Sequence, residues 1–219
     1  MLNGGYLDMG VYSADIGLSA GTNILTNAVG GIVKMSGLYM GYPYGSGTQS
    51  GLNELLNSGL ISNNNTLNMG NDKSNSLAIN IVQNYGTGTI TGGGNVTIGT
   101  AASASNLFNN AGYVSAGALT VGNSSNSAIN VLSNTGTFIA SGTSYMGSGG
   151  STNNTVYNNG VLTVSNNLTV GNSAGASAIN VVTNDGSGSI TLTGALIVGN
   201  GGANGLNTCL LYTSPSPRD

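Results

Sequence analysis

The stretch "GNSSNSAINVLSNTG", Gly122 to Gly136, returns about fifty residues later as "GNSAGASAINVVTNDG", Gly171 to Gly186, and is anticipated by "GNDKSNSLAINIVQNYG", Gly70 to Gly86. Ala-Ile-Asn stands at 78–80, 128–130 and 178–180, and Asn-x-Gly keeps the same step from Asn84 through Asn134 to Asn184. Further Asn-x-Gly sites at Asn57, Asn110 and Asn158 divide the fifty-residue unit into halves, with spacings of 27, 26, 24, 24 and 26 residues. Self-similarity at such a period marks a repeat architecture, in which one unit cannot bury its apolar face alone.

A second landmark has the same period: an apolar residue, any residue, an apolar residue, then Gly. It occurs as Leu7 to Gly10, Leu38 to Gly41, Leu67 to Gly70, Val96 to Gly99, Leu119 to Gly122, Leu168 to Gly171 and Leu196 to Gly199, with a degenerate copy at Ser144 to Gly147. Between the landmarks apolar residues alternate, as Leu119 and Val121, then Ile129 and Val131, then Phe138 or Ile139. Period two predicts strands, and the frequent Gly and β-branched residues disfavour helix. Only "GLNELLNSG", Gly51 to Gly59, has spacing that a helix could use.

Three short strands separated by Gly/Asn/Ser turns fill roughly 25 residues, the size of one coil of a parallel β-helix. The sequence therefore predicts an all-β, right-handed β-solenoid of about eight coils with three short strands per coil. Equivalent positions then stack about 4.8 Å apart. In this reading Ile79, Ile129 and Ile179 form an interior ladder, Asn130 points outward, and Asn84, Asn134 and Asn184 stack amide on amide at a turn, where Asn tolerates the left-handed conformation. Ordering a single coil costs more than its few apolar side chains return, so the coils must support one another.

The chain is expected to divide into irregular N-terminal coils over 1–56, with a loop projecting near 42–50, and regular repeats over 57–208. The last eleven residues, "CLLYTSPSPRD", share nothing with the repeats and resemble the translated read-through of a sequencing-library adapter. They are expected to be a disordered artefactual tail, 209–219, and a gene read into an adapter is expected to continue beyond the fragment. The tail holds the chain's single Cys and one of its three basic residues, Arg218. No basic n-region, apolar h-region or membrane-length apolar run is visible, so no membrane insertion is expected of this stretch.

The motifs together, L-x-V-G-N, A-I-N-V and N-x-G-x-x-x-I, resemble the β-strand repeats of autotransporter passengers and filamentous-haemagglutinin-type adhesins of Gram-negative bacteria. The resemblance covers essentially residues 1 to 208. It implies a long secreted rod displayed at, or released from, the outer membrane, with a translocation barrel in a C-terminal part outside this sequence, and host or surface glycans or proteins as partners.

Residues for catalysis are few. The chain has no His, and outside the tail its acids are Asp8, Asp15, Glu54, Asp72 and Asp185, scattered rather than stacked on successive coils. General acid–base chemistry needs such groups brought together, so no catalytic, cofactor or metal site is expected. "TGGGNVTIG" and "NGGANGLN" lack the Asp of calcium-binding β-repeats. With Lys34 and Lys73 as the only bases before the tail, nucleic-acid binding is disfavoured. Tyr39, Tyr42 and Tyr44 are the candidate contact residues, because Tyr offers area with a hydrogen-bonding tip. Two rival readings are a carbohydrate lyase or hydrolase whose acids lie on coils outside this stretch, and a phage tailspike or fibre.

Overall fold

The computed structural model of the chain describes residues 1–10, 12–16, 21–41, 51–70, 77–99, 103–122, 128–148, 152–172, 178–200 and 205–212. Among them every regular element is a strand, and every strand pairing is parallel. The first turn comprises β1 (Leu2–Asn3), β2 (Tyr6–Asp8) and β3 (Ser13–Ile16). The next two have two strands each: β4 (Gly21–Asn27) with β5 (Ile32–Met40), and β6 (Gly51–Asn57) with β7 (Leu60–Met69). Three-strand turns then resume with β8 (Leu77–Asn84), β9 (Thr89–Thr91) and β10 (Val96–Ile98), followed by β11 (Ser103–Asn110), β12 (Tyr113–Ala116) and β13 (Leu119–Val121). Three more follow: β14 (Ala128–Asn134), β15 (Thr137–Ala140) and β16 (Ser144–Ser148); β17 (Thr152–Asn158), β18 (Val161–Val164) and β19 (Leu168–Asn172); β20 (Ile179–Asn184), β21 (Ser189–Leu192) and β22 (Leu196–Val198). The last strand is β23 (Leu206–Leu211).

The chain is a parallel β-solenoid. One wall is a nine-stranded sheet ordered β1-β4-β6-β8-β11-β14-β17-β20-β23. The other two walls belong to one fourteen-stranded sheet, because β5 and β7 are long enough to run through both. Six turns thus carry three separate strands, and in two more the second and third strands are fused. Irregularity is concentrated there: the β5–β7 register shifts between Met35 and Gly37. The expected boundary at 56/57 falls inside β6, and the nine-stranded sheet runs across it without interruption. "GLNELLNSG" is strand β6 and the turn after it. The expected loop near 42–50 lies outside the described residues.

Stacking is in register: Ala128, Ile129, Asn130, Val131 and Leu132 of β14 lie against Thr152, Asn153, Asn154, Thr155 and Val156 of β17. All three walls contribute to the core. From the nine-stranded sheet come Leu25, Leu55, Val82, Phe108, Leu132, Val156 and Val182, one per coil. The apolar pairs of the Gly-terminated motif, such as Leu38/Met40, Leu67/Met69 and Leu119/Val121, are buried opposite. Phe138 is buried, with its ring edge-on to Phe108 at 5.6 Å between centroids and 78° between planes, a favoured aromatic geometry.

The structure corrects the expected face of the Ala-Ile-Asn strands. Ile79, Ile129 and Ile179 are 50%, 53% and 44% exposed, whereas Asn130 is fully buried. The isoleucines do share one column, Ile79–Ser105–Ile129–Asn153–Ile179, but it faces outward. Strand side chains alternate between faces, so misjudging the parity by one residue inverts every assignment along the strand. Because the coils stack in register, one parity must serve them all. The column through Leu132 is apolar at every step from Leu25 to Val182, while that through Ile129 includes Ser105 and Asn153. The larger apolar gain lies with the first column.

A second correction concerns the tail. Cys209, Leu210 and Leu211 lie in β23, paired with Val182, Thr183 and Asn184 of β20. Parallel pairing is made by main-chain groups, so an alternating segment adds to an open edge whatever its origin. Residues 213–219 lie outside the described residues.

Candidate functional site

On the inner face of the nine-stranded sheet the apolar column is flanked on either side by a row of asparagine. In the first row each side-chain amide donates to the carbonyl of the next: Asn3 to Asn27 at 3.0 Å, Asn27 to Asn57 at 2.9 Å, Asn57 to Asn84, Asn84 to Asn110 and Asn110 to Asn134 at 2.8 Å, Asn134 to Asn158 at 2.7 Å and Asn158 to Asn184 at 2.6 Å. The second row runs Asn23, Asn53, Asn80, Asn106, Asn130, Asn154, Asn180 and Asn207, every step 2.7 or 2.8 Å. The rows lie on the same side of the sheet because their members are four residues apart, as Asn130 and Asn134 are, and an even separation on a strand returns to the same face.

Each row holds a corner of the coil. The second amide hydrogen of Asn134 is directed at the main chain, with carbonyls of Gly136 at 3.3 Å and Val161 at 2.9 Å. Asn158 repeats this with Gly160 and Ser189. One side chain thereby joins its own turn to the next coil, where the buried carbonyls would otherwise lack a partner. The Gly of this turn is needed for space: a Cβ on Gly136 would collide with the Gly112 carbonyl of the preceding coil.

The second row sits against the other corner. Gly122, at φ 69°, closes the Leu119–Val121 motif, and a Cβ there would run into the Asn130 amide. Left-handed backbone and lack of room both select glycine at this corner. No residue other than glycine has positive φ among the described residues. The left-handed conformation therefore belongs to these glycines, and Asn84, Asn134 and Asn184 are strand-terminal residues.

Ionisable groups are placed apart. Asp8 accepts from the Tyr6 hydroxyl at 2.7 Å and the Gly10 amide at 2.8 Å, and these bonds, with a lesser part from the Lys34 charge, hold its carboxyl below the usual range against desolvation. The Gly186 amide and the Tyr157 hydroxyl likewise lower Asp185, and that shared hydrogen bond raises the Tyr157 phenol. Asp15 lines an apolar cavity of about 320 Å³ at the N-terminal end of the stack, with Leu7, Met9 and Ile16. Glu54 is on the outer face of the nine-stranded sheet. Among the described residues no three His, Cys, Asp or Glu side chains gather as metal ligands would. Asp72 lies outside the described residues.

Of the candidate contact residues, Tyr39 stands in β5 between Asp15 and Asn68, and Tyr42 and Tyr44 lie outside the described residues. Tyr85 and Tyr113 are exposed. The Asn23-to-Asn207 row is what sequence reasoning missed. Its signal was present: Asn recurs in every coil from Asn23 onward at the position of Asn130, whereas Ile recurs only in alternate coils. Comparison of the chain with protein-family models, curated proteins and solved structures gives no match.

Proposed function

We propose that this chain is part of a non-catalytic, surface-displayed or secreted bacterial rod that spans distance and presents an adhesive surface, in the manner of the autotransporter-type passengers its repeats resemble. What supports the reading is the use made of the buried polar side chains. Among the described residues they are all Asn, Ser or Thr, and every buried asparagine except Asn63 belongs to one of the two rows that bind coil to coil. Such rows supply cohesion, since amide hydrogen bonds satisfied on both sides remove the penalty of burying polar groups. They provide no group that exchanges protons near neutral pH.

In this reading the outer columns, free of the packing constraint, carry the contacts with surface glycans or proteins, and the exposed Tyr85 and Tyr113 are suited to them. The purified chain, immobilised on beads, is expected to retain glycan or matrix-protein ligands from a defined panel while releasing no product from polysaccharides. Appearance of new reducing ends or unsaturated uronic products would overturn it in favour of an enzyme. Absence of retention across the panel would remove the adhesive half of the proposal.

A further inference from the structure

The outward face of the nine-stranded sheet is built unlike an ordinary solvated surface. Its first column runs Leu52, Ile79, Ser105, Ile129, Asn153, Ile179 and Leu206 in register, and large and small residues alternate from Ile79 to Ile179. Beside it runs a second column containing Ile81, Leu107, Val131, Thr155 and Val181, and beyond that a polar one through Gln83, Asn109 and Ser133. Glu54 is the one charged side chain on this face among the described residues, and it lies toward one end. The isoleucines project every second strand, roughly 9.6 Å apart at a strand spacing of about 4.8 Å. Between them Ser105 and Asn153 leave gaps of the same repeat.

The geometry points to a second copy of this chain as the occupant of this face, docked antiparallel about a two-fold axis that lies along the strands between β11 and β14. That rotation preserves strand direction and reverses the stack, so each column meets itself. It pairs β11 with β14, β8 with β17, β6 with β20 and β4 with β23. Ile129 then faces Ser105 and Ile79 faces Asn153 at the centre, while toward each end Leu52 meets Ile179, apolar against apolar. One symmetry operation seats both knobs in both gaps, as an isologous interface requires.

The size also fits. Eight strands span roughly 34 Å along the stack, and three outward columns roughly 20 Å across it. Contact over that rectangle covers on the order of 700 Å² per copy, close to the ~800 Å² per partner of stable interfaces. The face therefore suits a sheet-on-sheet dimer in which the two apolar columns interdigitate and the polar column lies toward the rim.

Sedimentation velocity on the Cys209→Ser chain, from about 1 to 100 μM, is expected to show a monomer–dimer equilibrium. Ile129→Lys is expected to shift it toward monomer by about 100-fold in dissociation constant, since a tenfold loss enters an isologous interface twice. Ile129→Thr, which keeps a β-branched strand residue, is the milder variant should Lys disturb folding, and far-UV circular dichroism checks both. Val161→Lys, exposed on the other sheet, is expected to leave the equilibrium unchanged. A monomer throughout, or a dimer indifferent to both Ile129 variants, would overturn the proposal. So would a monomer that binds phosphatidylcholine vesicles and loses them on Ile129→Lys, which would assign the face to a lipid surface.

Discussion

Asn130 and Ile129 are adjacent, and exchanging their expected roles gives a sharp experiment. Asn130 is fully buried, accepts from Asn106 at 2.8 Å and donates to Asn154 at 2.8 Å. Asn130→Ala leaves the Asn106 amide without its acceptor and the Asn154 carbonyl without its donor. At about 1–3 kcal/mol per orphaned buried group, the loss is about 2–6 kcal/mol. Ile129→Ala removes an exposed side chain, and the effect in the isolated coil stack is within about 0.5–1 kcal/mol. Asn130→Asp adds a diagnostic. Its carboxylate still accepts from Asn106 but confronts the Asn154 carbonyl, and its burial raises its pKa. The destabilisation is therefore largest above the usual carboxylate range, near pH 4, and recedes as pH falls and the protonated acid donates to Asn154. Urea unfolding followed by circular dichroism, at a concentration where the chain is monomeric, measures all three. If Ile129→Ala costs more than Asn130→Ala, the assignment of inner and outer faces is wrong.

Other outcomes follow from the same geometry. Gly122→Ala is expected to lower stability by about 1–3 kcal/mol from backbone strain alone, with the collision against Asn130 added, whereas Gly93→Ala, which meets nothing within 4 Å, is expected to be near neutral; paired urea titrations decide. Phe108→Ala removes a fully buried ring packed on Phe138 and is expected to cost about 3–5 kcal/mol. With no His in the chain, the melting temperature is expected to be nearly flat from about pH 5 to 9. The carboxyls of Asp8 and Asp185 are lowered in the folded state, so their contribution is present above the unfolded carboxylate pKa and is lost as pH falls through the folded values. The raised Tyr157 contributes in the opposite sense, fully below the unfolded phenol value and decreasingly as pH rises through the folded one; in Asp185→Asn, ultraviolet titration is expected to find Tyr157 ionising at lower pH.

The class of fold was legible because Asn-x-Gly and the Gly-terminated apolar motif recur independently with one period, and only stacked coils make both useful. The inner Leu119 and Val121 were legible too, since their motif ends at a glycine whose place at the corner fixes the parity. Over 128–134 this failed. Alternation alone admits either face, and hydrophobicity assigned Ile129 inward and Asn130 outward. The decisive physics was cooperative: one buried Asn is costly, but a row of them satisfies its own amides. That is visible only when Asn23, Asn53, Asn80, Asn106, Asn130, Asn154 and Asn180 are compared across coils. The fusion of two walls in β5 and β7 left no such mark, because "NNNTLNMG" reads as readily as a turn between short strands.

Both amide rows run one way, every Nδ2 donating toward the C-terminal neighbour. The solenoid is consequently vectorial: a coil placed upside-down would set carbonyl against carbonyl on one side and N–H against N–H on the other. Duplication or loss during evolution is thereby restricted to whole modules of a common sense, such as Asn110 to Ser133, whose excision joins Asn109 to Asn134 and keeps both rows in phase. Length can drift between modules while orientation cannot, so such a gene can grow or shrink in steps without redesigning its interior.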